Sequence, residues 1–141
     1  MQIAILGAGM VGRAMAIDLA AAHSVTSFDL SEKSLDILRQ KNKEVKTIHA
    51  DLSDHTGYSS LLKDFDYVIS AVPGFMGYRT LEAVIRAGKD VVDISFFPEN
   101  ALELDALAKE NGVTAIVDCG VAPGMGNLIL GYYNERMTLT D

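Results

Sequence analysis

The stretch Gln2-Ile3-Ala4-Ile5-Leu6-Gly7-Ala8-Gly9-Met10-Val11-Gly12 decides the fold of this chain. An apolar run of strand length drops into a G-x-G-x-x-G turn, and Arg13-Ala14-Met15-Ala16-Ile17-Asp18-Leu19-Ala20 follows as a helix. Glycines also mark ordinary tight turns, so the context carries the reading. The strand stands before the turn, the helix after it, and an acid, Asp29, twenty residues beyond Gly9. Each glycine then has its own task. Gly7 turns the chain off the strand, Gly9 leaves the backbone open to a pyrophosphate, and Gly12 lets the helix lie against its own strand. The first-turn N–H groups of that helix, at Met10, Val11 and Gly12, face the phosphates with the positive end of the helix dipole behind them. The stretch is predicted to bind a dinucleotide.

Beyond the helix, Ser24-Val25-Thr26-Ser27-Phe28 reads as a second strand with Asp29 at its carboxyl end. In a doubly wound sheet that position hydrogen-bonds the adenosine ribose. A carboxylate there accepts from both ribose hydroxyls and repels a 2′-phosphate, so NAD is expected and NADP stays open through Arg13 and Lys33. The other reading of Asp29 is a cap for the helix that starts near Ser31.

The remaining periodicities complete two mononucleotide-binding halves. Ser31 to Lys43 reads as the second helix, and Val45 to Ala50 alternates as the third strand. It ends at Asp51-Leu52, expected beside the adenine ring. Ser53 or Asp54 would cap a third helix, whose Tyr58, Leu61, Leu62 and Phe65 form a core-facing stripe. Asp66 to Val72 is the fourth strand, with Ala71, Val72 and Pro73 leading into a loop at the crevice where strand order reverses. A helix is expected from Tyr78 to Ala87, ending at Gly88. Lys89 to Ser95 makes the fifth strand, Pro98 opens the next helix, and Val113 to Asp118 is the sixth strand. The last helix runs from Leu128 to about Met137. The sum is an α/β Rossmann fold, a doubly wound parallel sheet of about six strands in the order 3-2-1-4-5-6.

Composition agrees. With 49% apolar and 22% charged residues the chain is globular, and its formal charge of −7 argues against a nucleic-acid partner. One cysteine, Cys119, excludes an internal disulfide framework and gives no zinc pattern. No long apolar segment suggests a membrane span, and the start carries no signal-peptide pattern, so the cytoplasm is the expected compartment. There is no G-x-x-x-x-G-K-[ST] either, so no ATP-cradling loop is indicated.

Two proline–glycine turns stand at the carboxyl ends of the fourth and sixth strands. In Val72-Pro73-Gly74-Phe75-Met76-Gly77, Phe75 and Met76 either wall the nicotinamide pocket or serve as apolar cover. In Cys119-Gly120-Val121-Ala122-Pro123-Gly124, Gly120 is a cofactor candidate, and Pro123 and Gly124, with Phe75 and Met76, are the substrate candidates. Cys119 has no histidine assigned near it, so it reads as a small apolar group rather than a nucleophile. Asp93, Ser95 and Asp118 lie at or near strand carboxyl ends and are the candidates for catalysis, although each could equally hold a loop in place. No metal site is expected.

These turns, together with Val92-Asp93-Ile94-Ser95-Phe96 and Pro98-Glu99-Asn100, resemble the N-terminal part of the saccharopine dehydrogenase family, nearest its lysine 6-dehydrogenase branch. The likeness runs over nearly the whole chain. It implies an NAD(P)-linked oxidoreductase that oxidises a lysine-type C–N bond, with hydride transfer to NAD. Family enzymes continue into a second domain that covers the active site. Residues 1–141 are accordingly expected to be the dinucleotide-binding domain alone, binding NAD with little dehydrogenase activity by themselves. Expected partners are the cofactor, an amino-acid substrate when that second domain is supplied, and a second copy of the chain in a homo-oligomer. The alternative is a stand-alone nucleotide-sensing domain of the kind that regulates potassium transport.

Overall fold

Each of the six strand-like runs forms a strand: β1 (Gln2–Leu6), β2 (Ser24–Asp29), β3 (Lys46–His49), β4 (Tyr67–Ser70), β5 (Asp90–Asp93) and β6 (Ala115–Ile116). The computed structural model describes residues 1–137; residues 138–141, the end of the expected domain, lie outside the described residues. All neighbouring strands run parallel in one sheet ordered β3-β2-β1-β4-β5-β6, as the sequence predicts. Strand order reverses between β1 and β4, which opens the crevice where such sheets bind ligands.

A parallel sheet buries both faces, which is why β1 is nearly continuous apolar sequence and is buried from Ile3 to Leu6. One face carries Ile3, Ile5 and Val25 beneath α1 (Met10–Leu19) and α2 (Glu32–Lys41), with Leu35 and Leu38 of α2 in the same core cluster. The other carries Leu6, Phe28, Val68 and Val91 beneath α3 (Tyr58–Leu61), α4 (Gly74–Arg86) and α5 (Asp105–Asn111). The chain then passes β6 into α6 (Met125–Asn134).

Several element boundaries differ from expectation. The third helix shrinks to a 3-10 turn at His55–Gly57, capped by Asp54 rather than Ser53, followed by the single turn of α3. Its stripe is core all the same, with Tyr58 and Leu62 buried and Leu61 and Phe65 packed against them. The loop expected after Pro73 is instead the first turn of α4, four residues ahead of Tyr78. Pro73 keeps an extended ψ as N-cap, and Gly74 can start the helix because its missing Cβ leaves room for the Phe96 carbonyl. Pro98 does not open the helix after β5. Asn100 does, its side-chain oxygen accepting the Leu102 N–H at 3.1 Å, and a 3-10 turn (Ala101–Leu104) leads into α5. β6 keeps two of its six expected residues, the Thr114 N–H being taken by the Asp90 side chain at 2.7 Å. α6 begins at Met125, after Gly124, whose φ of +127° favours glycine.

Candidate dinucleotide site

The glycine turn has the geometry its sequence implies. Gly7 has φ +107° and donates its N–H to Phe28 O at 2.8 Å, tying the turn to β2. A Cβ there would sit 2.7 Å from Ala71 O, and a Cβ on Gly12 would overlap the Gly7 carbonyl. Gly9 is different. No protein atom stands within 4 Å of where its Cβ would be, so nothing inside the chain needs a glycine there. The space is available to a ligand. Gly9 is also the N-cap of α1, and no side chain caps that helix. The first intrahelical bond runs from Arg13 N–H to Gly9 O, leaving the amides of Met10, Val11 and Gly12 ahead of it. Such an end favours an anion.

Asp29 joins the two turns. One carboxylate oxygen accepts the Ala8 N–H and the other the Ser31 N–H, both at 2.7 Å. The cap of α2 is Ser31, whose hydroxyl oxygen accepts the Ser34 N–H, so the capping reading of Asp29 does not hold. Each carboxylate oxygen has a further lone pair with which to accept a ribose hydroxyl.

A cleft of about 680 Å³ lies over these residues, within the range of small-molecule and cofactor sites. Gly7, Gly9, Met10, Val11, Gly12, Asp29, Asp51, Leu52, Ala71, Val72 and Pro73 line it, together with Phe75 and Met76. Phe75 is 86% exposed, which makes it a wall of the cleft rather than cover for the core. Met76 does both, lining the cleft and packing on the core cluster. Asp51 is held below its ordinary carboxylate pKa first by the Ser53 hydroxyl and then by the Ser53 N–H, at 2.6 and 2.9 Å. Neither Arg13 nor Lys33 is in the lining, and among the described residues no lysine or arginine is.

Leu30, Ser53 and Ile94 also line the cleft and were not anticipated. The first two follow residues already marked, so strand-end position could have found them. Ile94 does the same, following Asp93 at the end of β5.

Gly120 is not in this cleft. It lines a second opening of about 590 Å³ beside β6 and the start of α6, with Asp118, Cys119, Pro123 and Gly124. Asp118 has φ +58° and is exposed there, as is Cys119. The other two catalytic candidates are buried. Asp93 is fully enclosed, and one of its oxygens accepts both the N–H and the hydroxyl of Ser95, at 2.8 and 2.6 Å. Burial pushes the Asp93 carboxyl above its ordinary pKa; the nearby Ser70 hydroxyl and the hydrogen bonds from Ser95 act against that, and the Asp118 charge adds to it. None of His23, His49 and His55 lines either opening. Among the described residues, no group of three or more His, Cys, Asp or Glu could hold a metal ion, and no helix is long and apolar enough to cross a membrane.

Comparison with known proteins agrees with this geometry. The family model described as the saccharopine dehydrogenase NADP binding domain matches residues 3–116. The chain is 27% identical over 129 residues to the NADP(+), L-glutamate-forming saccharopine dehydrogenase of Saccharomyces cerevisiae, covering 90% of this chain and 29% of the yeast protein. Against the enzyme of the same name from Pyricularia oryzae it is 31% identical over 81 residues, covering 57% of this chain and 18% of that protein. It therefore spans less than a third of the length of these relatives. The solved apo structure of the yeast enzyme superposes with a TM-score of 0.83 at 26% identity, over 96% of this chain and 31% of that one. Scyllo-inositol dehydrogenase from Lactobacillus casei, solved with NAD(H) and scyllo-inositol, shares the fold at TM-score 0.63 and 20% identity, over 83% of this chain and 35% of that one. With a glycine turn, an uncapped helix end and a strand-end carboxylate around one cleft, the chain belongs to the saccharopine dehydrogenase NADP-binding-domain family, a pyridine-nucleotide-binding domain.

Proposed function

We propose that the cleft holds NAD and that the domain serves an oxidoreductase acting on a lysine-type C–N bond. The observation that carries the cofactor choice is the charge of the lining. Asp29 and Asp51 both face the cleft, and no lysine or arginine among the described residues does. A 2′-phosphate would meet carboxylates with no cation to offset them, whereas ribose hydroxyls can donate to Asp29. The family and the yeast relative are named for NADP, so this chain departs from them on this reading.

The residues divide the work along the cleft. The amides of Met10, Val11 and Gly12 hold the pyrophosphate, with Gly9 giving it room. Leu52 packs beside the adenine, and Val72, Pro73, Phe75 and Met76 bound the nicotinamide end and exclude water there. When bound, the nicotinamide supplies the acceptor for a hydride. In the second opening, the Asp118 carboxylate offers a counter-charge to a substrate ammonium group, and Pro123 and Gly124 shape its floor. Family membership supports the amine substrate and does not favour the potassium-transport sensor.

Equilibrium titration with NADH and NADPH, on the native chain and on Asp29→Ser, tests the cofactor choice. NADH is expected to bind more tightly by about tenfold, roughly 1.4 kcal/mol, and the substitution should narrow that gap. Comparing the two cofactors within each variant cancels whatever the lost Ala8 contact costs the turn. Equal weakening of both cofactors by Asp29→Ser would remove the ribose role from Asp29.

A further inference from the structure

Among the described residues Asp93 is the only buried carboxyl, and it touches neither opening. It ends β5, and its register partner on β4 is Ser70. One oxygen, Oδ1, takes both hydrogen bonds from Ser95. The other, Oδ2, has no partner, and neither has the Ser70 hydroxyl; both are buried. Side chains of register partners in a sheet project from the same face, so the two unpaired groups are neighbours. A single hydrogen bond between them satisfies both. The third unpaired buried atom, Ser27 Oγ, lies on β2, separated from β4 by β1, and takes no part.

What surrounds this carboxyl gives it a consequence. A Cβ on Gly77 would overlap the Ser95 hydroxyl, and one on Gly74 would overlap Phe96 O, so the first turn of α4 rests directly on the segment that Asp93 holds. Ile94, between them, donates its N–H to Ser70 O at 3.0 Å and lines the cofactor cleft. On the other side, Cys119 N–H donates to Asp93 O at 3.2 Å, and a Cβ on Gly120 would lie 3.9 Å from Ile94 O. Ile94 is thus a crest between the cofactor cleft and the second opening.

We propose that Asp93 is a positioning residue: the chain Ser70–Asp93–Ser95 locks the Ile94 crest against the first turn of α4 and so sets the end of the cleft that holds the nicotinamide half of the cofactor. Asp93 acts only through Ile94 and Ser95. The β4–β5 ladder ends at the Ser70–Asp93 pair; beyond it Ile94 keeps one backbone bond, to Ser70 O, and Asp93 Oδ1 holds the next residue, Ser95. The adenosine end, built on β1, β2 and α1, shares none of them.

This inference rests on the cofactor reading above, and its test separates the two. NADH and ADP-ribose, which lacks the nicotinamide, are titrated against the native chain, Asp93→Ala, Asp93→Asn and Ser95→Ala. Asp93→Ala is expected to weaken NADH about tenfold while changing ADP-ribose less than about twofold, the scale of losing buried hydrogen bonds at one end only. Asp93→Asn keeps the acceptor for Ser95 and offers an N–H to Ser70 Oγ, so it should restore NADH binding to within about threefold of native. If Asp93→Ala does not fold, Ser95→Ala decides, with a loss confined to NADH expected. Parallel loss of NADH and ADP-ribose in either variant, or an asparagine variant as weak as the alanine one, overturns the positioning role. A native chain that binds neither ligand sinks the cofactor reading, and this inference with it.

Discussion

The centre of the sheet and its β6 end are built to different standards. Around β1, α1 and β2, the backbone is packed and tied together from within the chain. β1 is buried at four consecutive positions, Gly12 lets α1 touch the turn backbone, and Asp29 ties the glycine turn to the end of β2. Around β6 and α6 the opposite holds. β6 is two residues long with Ile116 exposed, and no residue of α6 is buried. Leu128, Leu130, Tyr132 and Tyr133 all stand exposed on that helix. The first region is a finished binding unit. The second ends in a contiguous apolar surface that no described residue covers, the kind of patch that marks an interaction site. Cofactor affinity and folding stability should therefore depend on the first region far more than on the second.

The sharpest test of that contrast is Gly12→Ala. Its Cβ would overlap the Gly7 carbonyl and crowd Ala71 Cβ, so the turn must shift. A loss of about 4 kcal/mol, at the extreme of single substitutions, is expected, together with loss of detectable NADH binding. Chemical denaturation and the cofactor titration would measure the two, and native-like behaviour in both would remove the close helix–turn contact from the account.

A matched pair comes next. Leu38, wholly buried on the inner face of α2, and Leu128, exposed on α6, are changed to alanine. Leu38→Ala is expected to cost about 3 kcal/mol, and Leu128→Ala no more than about 0.5 kcal/mol. Similar costs at the two positions would mean that α6 is buried in solution by something, and the contrast between the regions would fail.

The smallest effect belongs to Gly131→Ala in α6, where a Cβ meets nothing. Alanine favours the helix by roughly 0.5–1 kcal/mol. Because α6 has no buried residue, that gain should appear as more helical signal in circular dichroism with little movement of the global melting midpoint. A midpoint raised by several degrees would show α6 unfolding together with the core.

Much of the site was legible before any coordinates. The glycine turn, Asp29, Asp51, Leu52 and the segment Ala71 to Pro73 were all placed in one cleft by strand-end position, and the structure brings them together there. They share one cleft because each reading rests on local chemistry. A glycine turn between strand and helix, or a carboxylate at the end of a parallel strand, has nearly the same meaning in every sheet of this topology. Errors gathered where the chain's neighbours across space decide. Pro73-Gly74 looked like a loop, yet the close approach of Phe96 O made it a helix start; Pro98 lost its place to the side-chain acceptor of Asn100; and Gly120 fell into the second opening.

Order of strands, handedness and the phosphate-facing helix end follow from patterns of two to twenty residues along the chain. They needed no coordinates, because twist and periodicity leave few other arrangements. Which carboxyl would be buried was decided by the packed fold. So was its second oxygen being left without a partner, and the place of Ile94, just past the end of β5, in the lining of the cofactor cleft. Asp93 reads the same as Asp29 or Asp118 in sequence, an acid at a strand end. What separates them is the packing around β5, where α4 rests on Ser95 and Phe96 and removes the water that would otherwise solvate a carboxylate.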